Sequence, residues 1–156
     1  MENQCKKVLF VCLGNICRSP IGEAVFQHLI EQRGLQDKWA TDSAATGPWH
    51  IGKSPDSRAR STLKKHGIEY NGKARLLTRD DFNTFDFIFG MDENNISDIK
   101  AEAPRNSKAE IMLLGEFDPQ GERIIRDPYY DSGAAGFEKC LQQCMRCCTE
   151  FLDRYN

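Results

Sequence analysis

No apolar run in this sequence approaches the roughly 20 residues that cross a bilayer, so a membrane-spanning segment is not expected. The opening MENQCKKVLFVCLG sets two lysines ahead of an apolar stretch, as a secretory leader does, but that stretch is short and GNICRSP is a poor cleavage region. Glutamate at position 2 is not a myristoylation signal, and the terminal DRYN is no prenylation box. Charge of neither sign dominates: 21 basic against 23 acidic side chains, a net charge of -2, is ordinary globular composition, neither as basic as nucleic-acid binders nor disordered, and it names no partner. Linkers, internal repeats and low-complexity tracts are missing too. A chain of 156 residues is too short for two cores, so one domain over 1–156, soluble and cytoplasmic, is the expectation.

Cysteine is plentiful but badly spaced for two of its usual uses. Seven of them, an odd number irregularly placed, do not make a secreted disulfide framework. The cluster CLQQCMRCC (Cys140, Cys144, Cys147, Cys148) lacks the paired Cys-x-x-Cys knuckles of structural zinc. Phe137, Leu141, Cys144, Cys148, Phe151 and Tyr155 fall instead on one helical stripe, so these thiols read as core. No metal and no cofactor is expected.

The remaining pattern alternates. KKVLFVC, KWATDSAA, FDFIFGM and AEIMLLGEF read as strands, and the stretches after Pro20, after Pro55, after Asp92 and from Gly136 onward read as helices. Ser19 with Pro20, and Ser54 with Pro55, look like helix openings; Gly34 and Gly67 look like stops. Strands alternating with helices imply an α/β fold with parallel pairing, right-handed crossovers and helices on both sheet faces. Ligands bind such sheets beyond the carboxyl ends of the strands. The one long unpatterned segment, Asp118 to Gly136, could meet the end of the first strand there.

That first strand ends in VCLGNICRSP. Cys12 sits where free N–H groups and the helix dipole favour an anion, which makes it a candidate nucleophile. Arg18, six residues on, lets the intervening backbone wrap a tetrahedral oxyanion while its guanidinium closes the ring. The spacing Cys-x5-Arg-Ser differs from the Walker loop, which needs a lysine after its second glycine. Ser19 can cap the helix and donate to the Cys12 sulfur, and Asn15 suits a left-handed apex. Leu13 and Ile16 offer apolar surface to an aromatic ring, beside Gly14 and Cys17. In the long loop, Asp127 precedes Pro128 and two aromatics; Asp118 also precedes a proline but lacks the aromatic pair. Asp92 reads as a helix cap, and His28 as a core or boundary histidine.

VCLGNICRSP, TDSAATG, SPDSRA, KKHGI, FDFIFGMDENN and DPYY, in this order and over nearly the whole chain, resemble the low-molecular-weight protein tyrosine phosphatases, the animal type most, given Trp49, the paired tyrosines and QQCMRCC. The resemblance implies a three-layer αβα fold whose four-stranded parallel twisted sheet has the order 2-1-3-4. It also implies two-step chemistry on phosphotyrosine: Cys12 forms a phosphocysteine, Arg18 and the loop amides hold the oxygens, and Asp127 serves as general acid and then base. Trp49, His50, Tyr129 and Tyr130 become the substrate rim, which is also a candidate surface for weak self-association. Cys17 becomes the thiol that caps an oxidised Cys12 as a disulfide, and His66 a support that bonds toward the loop asparagine and serine. Relatives acting on phosphoarginine carry threonine where this chain has Ile16, which favours phosphotyrosine. Thiol-dependent arsenate reductases share the loop but relay electrons through downstream cysteines, and none lies between Cys17 and Cys140. A silent phosphotyrosine-binding adaptor would have lost Cys12 or Asp127. Phosphotyrosine proteins and oxyanions are therefore the expected partners.

Overall fold

A computed structural model describes residues 5–156; the first four, part of the leader-like opening, lie outside them. Four parallel strands, β1 (Lys6–Cys12), β2 (Trp39–Ala45), β3 (Phe87–Gly90) and β4 (Glu110–Leu113), form one sheet in the order β2-β1-β3-β4. Helices α1 (Arg18–Gln32), α2 (Ser57–Lys65), α3 (Asp81–Thr84), α4 (Glu93–Glu102) and α5 (Ala135–Tyr155) complete it, with a 3-10 turn at Leu114–Phe117. The expected architecture and strand order are the observed ones.

Period-two alternation along β1 decides which side chain meets which layer. Val8, Phe10 and Cys12 face the layer of α1, α2 and α5, while Leu9 and Val11 face Phe82, Phe85 and Ile99 from the side of α3 and α4. The first layer is aromatic at its centre: Phe151 of α5 lies 4.9 Å from Phe87 and 5.2 Å from Phe89, both edge-on. Cys140, Cys144, Cys147 and Cys148 are buried in it, as the helical stripe predicts. Burial pushes the Cys148 thiol up, which suits packing rather than reactivity.

Two helix openings differ from the sequence reading. Arg18 begins α1 and Cys17 occupies its cap position with no side-chain bond, so Ser19 is not the cap. Its hydroxyl is engaged by Cys12 and Asn15 instead, and the first-turn N–H groups stay turned toward the loop. Helix α2 starts at Ser57, because Asp56, not Ser54, accepts the Arg58 N–H. The short α3 has no sequence forecast; it is held by the Asp81 carboxylate, which accepts the Thr78 N–H at 2.8 Å and Arg75 donors.

Candidate active site

The parallel strands all point their carboxyl ends one way, and that edge gathers the site. Strand β1 delivers Cys12, and the turn after it is tied to β2 by the N–H groups of Thr46 and Gly47, which donate to the carbonyls of Cys12 and Leu13 at 3.0 and 2.9 Å. Asn15 has φ of 57°, the left-handed geometry anticipated for it, and is buried. Its amide donates to Ser19 Oγ at 2.7 Å and Ser43 Oγ at 2.9 Å, and its carbonyl oxygen accepts the Arg75 N–H at 3.1 Å. The loop is thus locked from inside.

Three donors converge on the Cys12 sulfur: Ser19 Oγ at 3.0 Å, and the N–H groups of Asn15 at 3.3 Å and Ser19 at 3.4 Å. Such a ring holds the sulfur in place and favours negative charge on it. Beside it lies Arg18, 2% exposed. Its Nη1 donates to Asp92 at 2.6 Å and to the Ile125 carbonyl at 2.9 Å, and its Nη2 is 3.7 Å from Asp127. Burial works against the Arg18 charge, but Cys12, Asp92 and Asp127 outweigh it and hold the guanidinium firmly protonated. Nε is buried with no protein partner among the described residues. A buried cationic donor left unmatched is costly unless an anion meets it.

Above the loop opens a cavity of about 360 Å³. Cys12, Leu13, Gly14, Ile16, Cys17 and Asp127 form its floor and wall, and Trp49, His50, Tyr129 and Tyr130 its mouth. The mouth is aromatic and open: Trp49 is 64% and Tyr130 89% exposed, and the rings of His50 and Tyr129 lie 5.8 Å apart. At Gly14 the wall packs closely against the His50 ring, since a Cβ there would sit 2.9 Å from His50 Cδ2. Burial, then Asp56 and Asp127, push the Cys17 thiol up. The sequence candidates therefore converge, with one exception.

His66 does not reach the loop. It closes α2, and its Nε2 meets the Glu138 carboxylate of α5 at 3.0 Å near the surface. The support expected of it falls to other groups: Ser43 donates to Glu23 Oε1 at 2.6 Å, as does Tyr70 at 2.6 Å, and Ser43 in turn receives Asn15. Burial pushes the Glu23 carboxyl up despite both hydroxyls. Asp92 caps α4 as expected by accepting the Asn95 N–H at 2.8 Å, but its other oxygen anchors Arg18. Capping hides that second duty in a sequence; only the adjacency of β3 to β1 could have exposed it.

Comparison with known proteins agrees with this geometry. Residues 7–156 match the family model of low molecular weight phosphotyrosine protein phosphatases. The enzyme of that name from Sus scrofa is 51% identical over 155 residues, 98% of each chain. The crystal structure of Primo-1 superposes with a TM-score of 0.93 at 48% identity, covering 96% of this chain and 98% of that one. That of DARP, drosophila arginine phosphatase, gives 0.91 at 39%, with 96% and 98% covered. With its cradle, its aspartate-bearing loop and this likeness along nearly its whole length, the chain belongs to the low molecular weight phosphotyrosine protein phosphatase family.

Proposed function

We propose that this chain is a protein tyrosine phosphatase, a phosphoric monoester hydrolase working through a phosphocysteine. The observation that carries the reading is the buried Arg18, tethered through Nη1 with its Nε left unmatched and close enough to Cys12 for the two groups to interact electrostatically. In the first step Cys12 Sγ attacks phosphorus, the S–P bond forms and the P–O bond to the phenol breaks. Asp127 gives its proton to the departing oxygen. In the second, Asp127 takes a proton from water, the water oxygen bonds phosphorus and sulfur leaves, eased by its three donors. Arg18 and the loop amides hold the equatorial oxygens throughout.

Leu13 and Ile16 present apolar surface in the cavity, and Tyr129 stands at the mouth, surfaces on which a phenyl ring can pack; the preference over a guanidinium rests on Ile16, where relatives acting on phosphoarginine carry threonine. Cys17 is proposed as the redox partner: after peroxide converts Cys12 to a sulfenic acid, the Cys17 thiol attacks it, forming the disulfide and releasing water. Its burial keeps it from competing as nucleophile, so Cys17→Ser should turn over normally but recover less activity after peroxide and reductant. Buried thiols fit a reducing cytosol. The open rim is proposed to support weak self-association.

The test is steady-state phosphate release from a phosphotyrosine peptide beside phosphoserine and phosphoarginine peptides, at mildly acidic pH with a chelator. Rapid release from phosphotyrosine that vanishes in Cys12→Ser is expected. Tight binding without release would mean an adaptor, and release from phosphoarginine alone would overturn the specificity.

A further inference from the structure

Arg58, in the first turn of α2, engages every one of the five N–H donors that a guanidinium has. Nε and Nη2 hold the two oxygens of Asp56 at 3.0 Å each. Nη2 also donates to the carbonyl of Tyr129 at 2.8 Å, and Nη1 to those of Asp131 at 2.6 Å and Gly133 at 3.4 Å. The face of the group rests on Phe137 of α5, 4.5 Å from the ring centroid. Asp56 then reaches the cradle itself, its N–H donating to the Ile16 carbonyl at 2.8 Å. One side chain joins the segment carrying Asp127 to the loop carrying Cys12.

We propose that Arg58 is a positioning residue for the proton transfer: by clamping the backbone of 129–133 to the cradle through Asp56, it sets where Asp127 stands above the sulfur. The proposal rests on Asp127 being the acid. The clamped segment contains no helix or strand to fix its carbonyls. Its own turn bonds, Asp131 N–H to the Pro128 carbonyl at 3.0 Å and Tyr129 N–H to Asp127 at 3.1 Å, are local and do not reach the cradle, and its ion pair with Arg126, through Asp131, is solvent-exposed on the arginine side and correspondingly weak. Lysine cannot replace the clamp, because a single ammonium cannot fork across a carboxylate and three carbonyls at once.

Displacing an acid by about 1 Å can cost on the order of a hundredfold in the step that needs it. In the first step, the formation of the phosphocysteine that kcat/KM reports, the cost should appear only where the leaving oxygen needs a proton; the second step, where Asp127 is the base, is common to all substrates. The experiment measures kcat/KM on aryl phosphates of rising leaving-group basicity for the wild type, Arg58→Met, Arg58→Lys, Asp127→Asn and the Arg58→Met/Asp127→Asn pair. Amide hydrogen exchange of the clamped segment, from Tyr129 within 128–134, is followed alongside, and methionine is chosen to keep the contact with Phe137. Arg58→Met should lose about tenfold or more on the most basic leaving groups and under about twofold on the most activated. In the pair, no further steepening beyond Asp127→Asn is expected, and exchange should quicken in 128–134 but not in the sheet. Equal losses on all substrates, or an Arg58→Lys variant indistinguishable from wild type, would overturn the clamp. If Asp127→Asn itself leaves the leaving-group dependence unchanged, the acid assignment fails instead, and unchanged exchange in Arg58→Met would then overturn the clamp independently.

Discussion

Asp-Pro occurs twice in the long loop, at Asp118-Pro119 and Asp127-Pro128, and the two aspartates begin alike. Asp118 accepts the N–H of Gln120 at 2.9 Å and Asp127 that of Tyr129 at 3.1 Å, the same turn two residues on. They diverge at what surrounds them. The Asp118 side chain is wholly buried, with Arg146 of α5 on its oxygens at 2.9 and 3.0 Å. That of Asp127 is 32% exposed, opens onto the cavity and comes no closer than 3.7 Å to Arg18, the one cation within ion-pair distance of it among the described residues. A carboxylate clasped on both oxygens has nowhere to send or receive a proton; one held by a backbone N–H and facing a cavity does. The dipeptide sets the turn, and the second partner sets the role.

The contrast can be broken in order of effect. Asp127→Asn should lower kcat on unactivated aryl phosphates about a hundredfold or more while leaving Tm nearly unchanged, a split that kinetics and thermal melting read together. Asp118→Asn should do the reverse, costing about 2 kcal/mol of stability by taking the buried carboxylate from Arg146 and leaving it only the more exposed Glu122 at 3.1 Å, with kcat within about twofold of wild type. If Asp118→Asn instead abolished activity in a folded protein, the two would have exchanged roles. The pH dependence sharpens this. Arg146 holds the Asp118 carboxyl below its usual range, so its stabilisation is fully present above the unfolded-state value near about 3.9 and is lost as pH falls through the lower folded-state value. The Tm gap between wild type and Asp118→Asn should therefore be constant near neutrality and close in acid; a gap independent of pH would show that the charge is not what stabilises. The smallest effect is reserved for His66→Gln. Its pair with Glu138 is half-open to solvent, so under about 0.5 kcal/mol and no change in kcat are expected, and a kinetic defect would restore its link to the loop.

What the sequence disclosed follows the range of the interactions. Periodicity located the strands and the last helix because each depends on neighbours a few residues away. Cys12, Asn15, Arg18 and Ser19 were legible because the whole cradle is one contiguous turn. Asp92 and Arg58 were not, since their partners lie 74 and 71 residues away along the chain, brought close only by strand order and helix packing. The helix starts were misread for a related reason: Ser19 and Ser54 are good local caps, but Ser19 is recruited by the sulfur and Asp56 outcompetes Ser54. His66 failed because a conspicuous residue type in a matching segment says nothing about which way its ring faces.

The unmatched Nε of Arg18 reaches beyond catalysis into folding. A buried cation that the polypeptide answers only in part makes an oxyanion behave as a removable piece of the interior, bound by the native chain and not by the unfolded one. Inorganic phosphate, the product itself, should then act as a stabiliser, adding about 2.7 kcal/mol when present at a hundredfold excess over its dissociation constant. Thermal endurance and product inhibition would be two readings of a single equilibrium, so that a variant escaping one could not keep the benefit of the other.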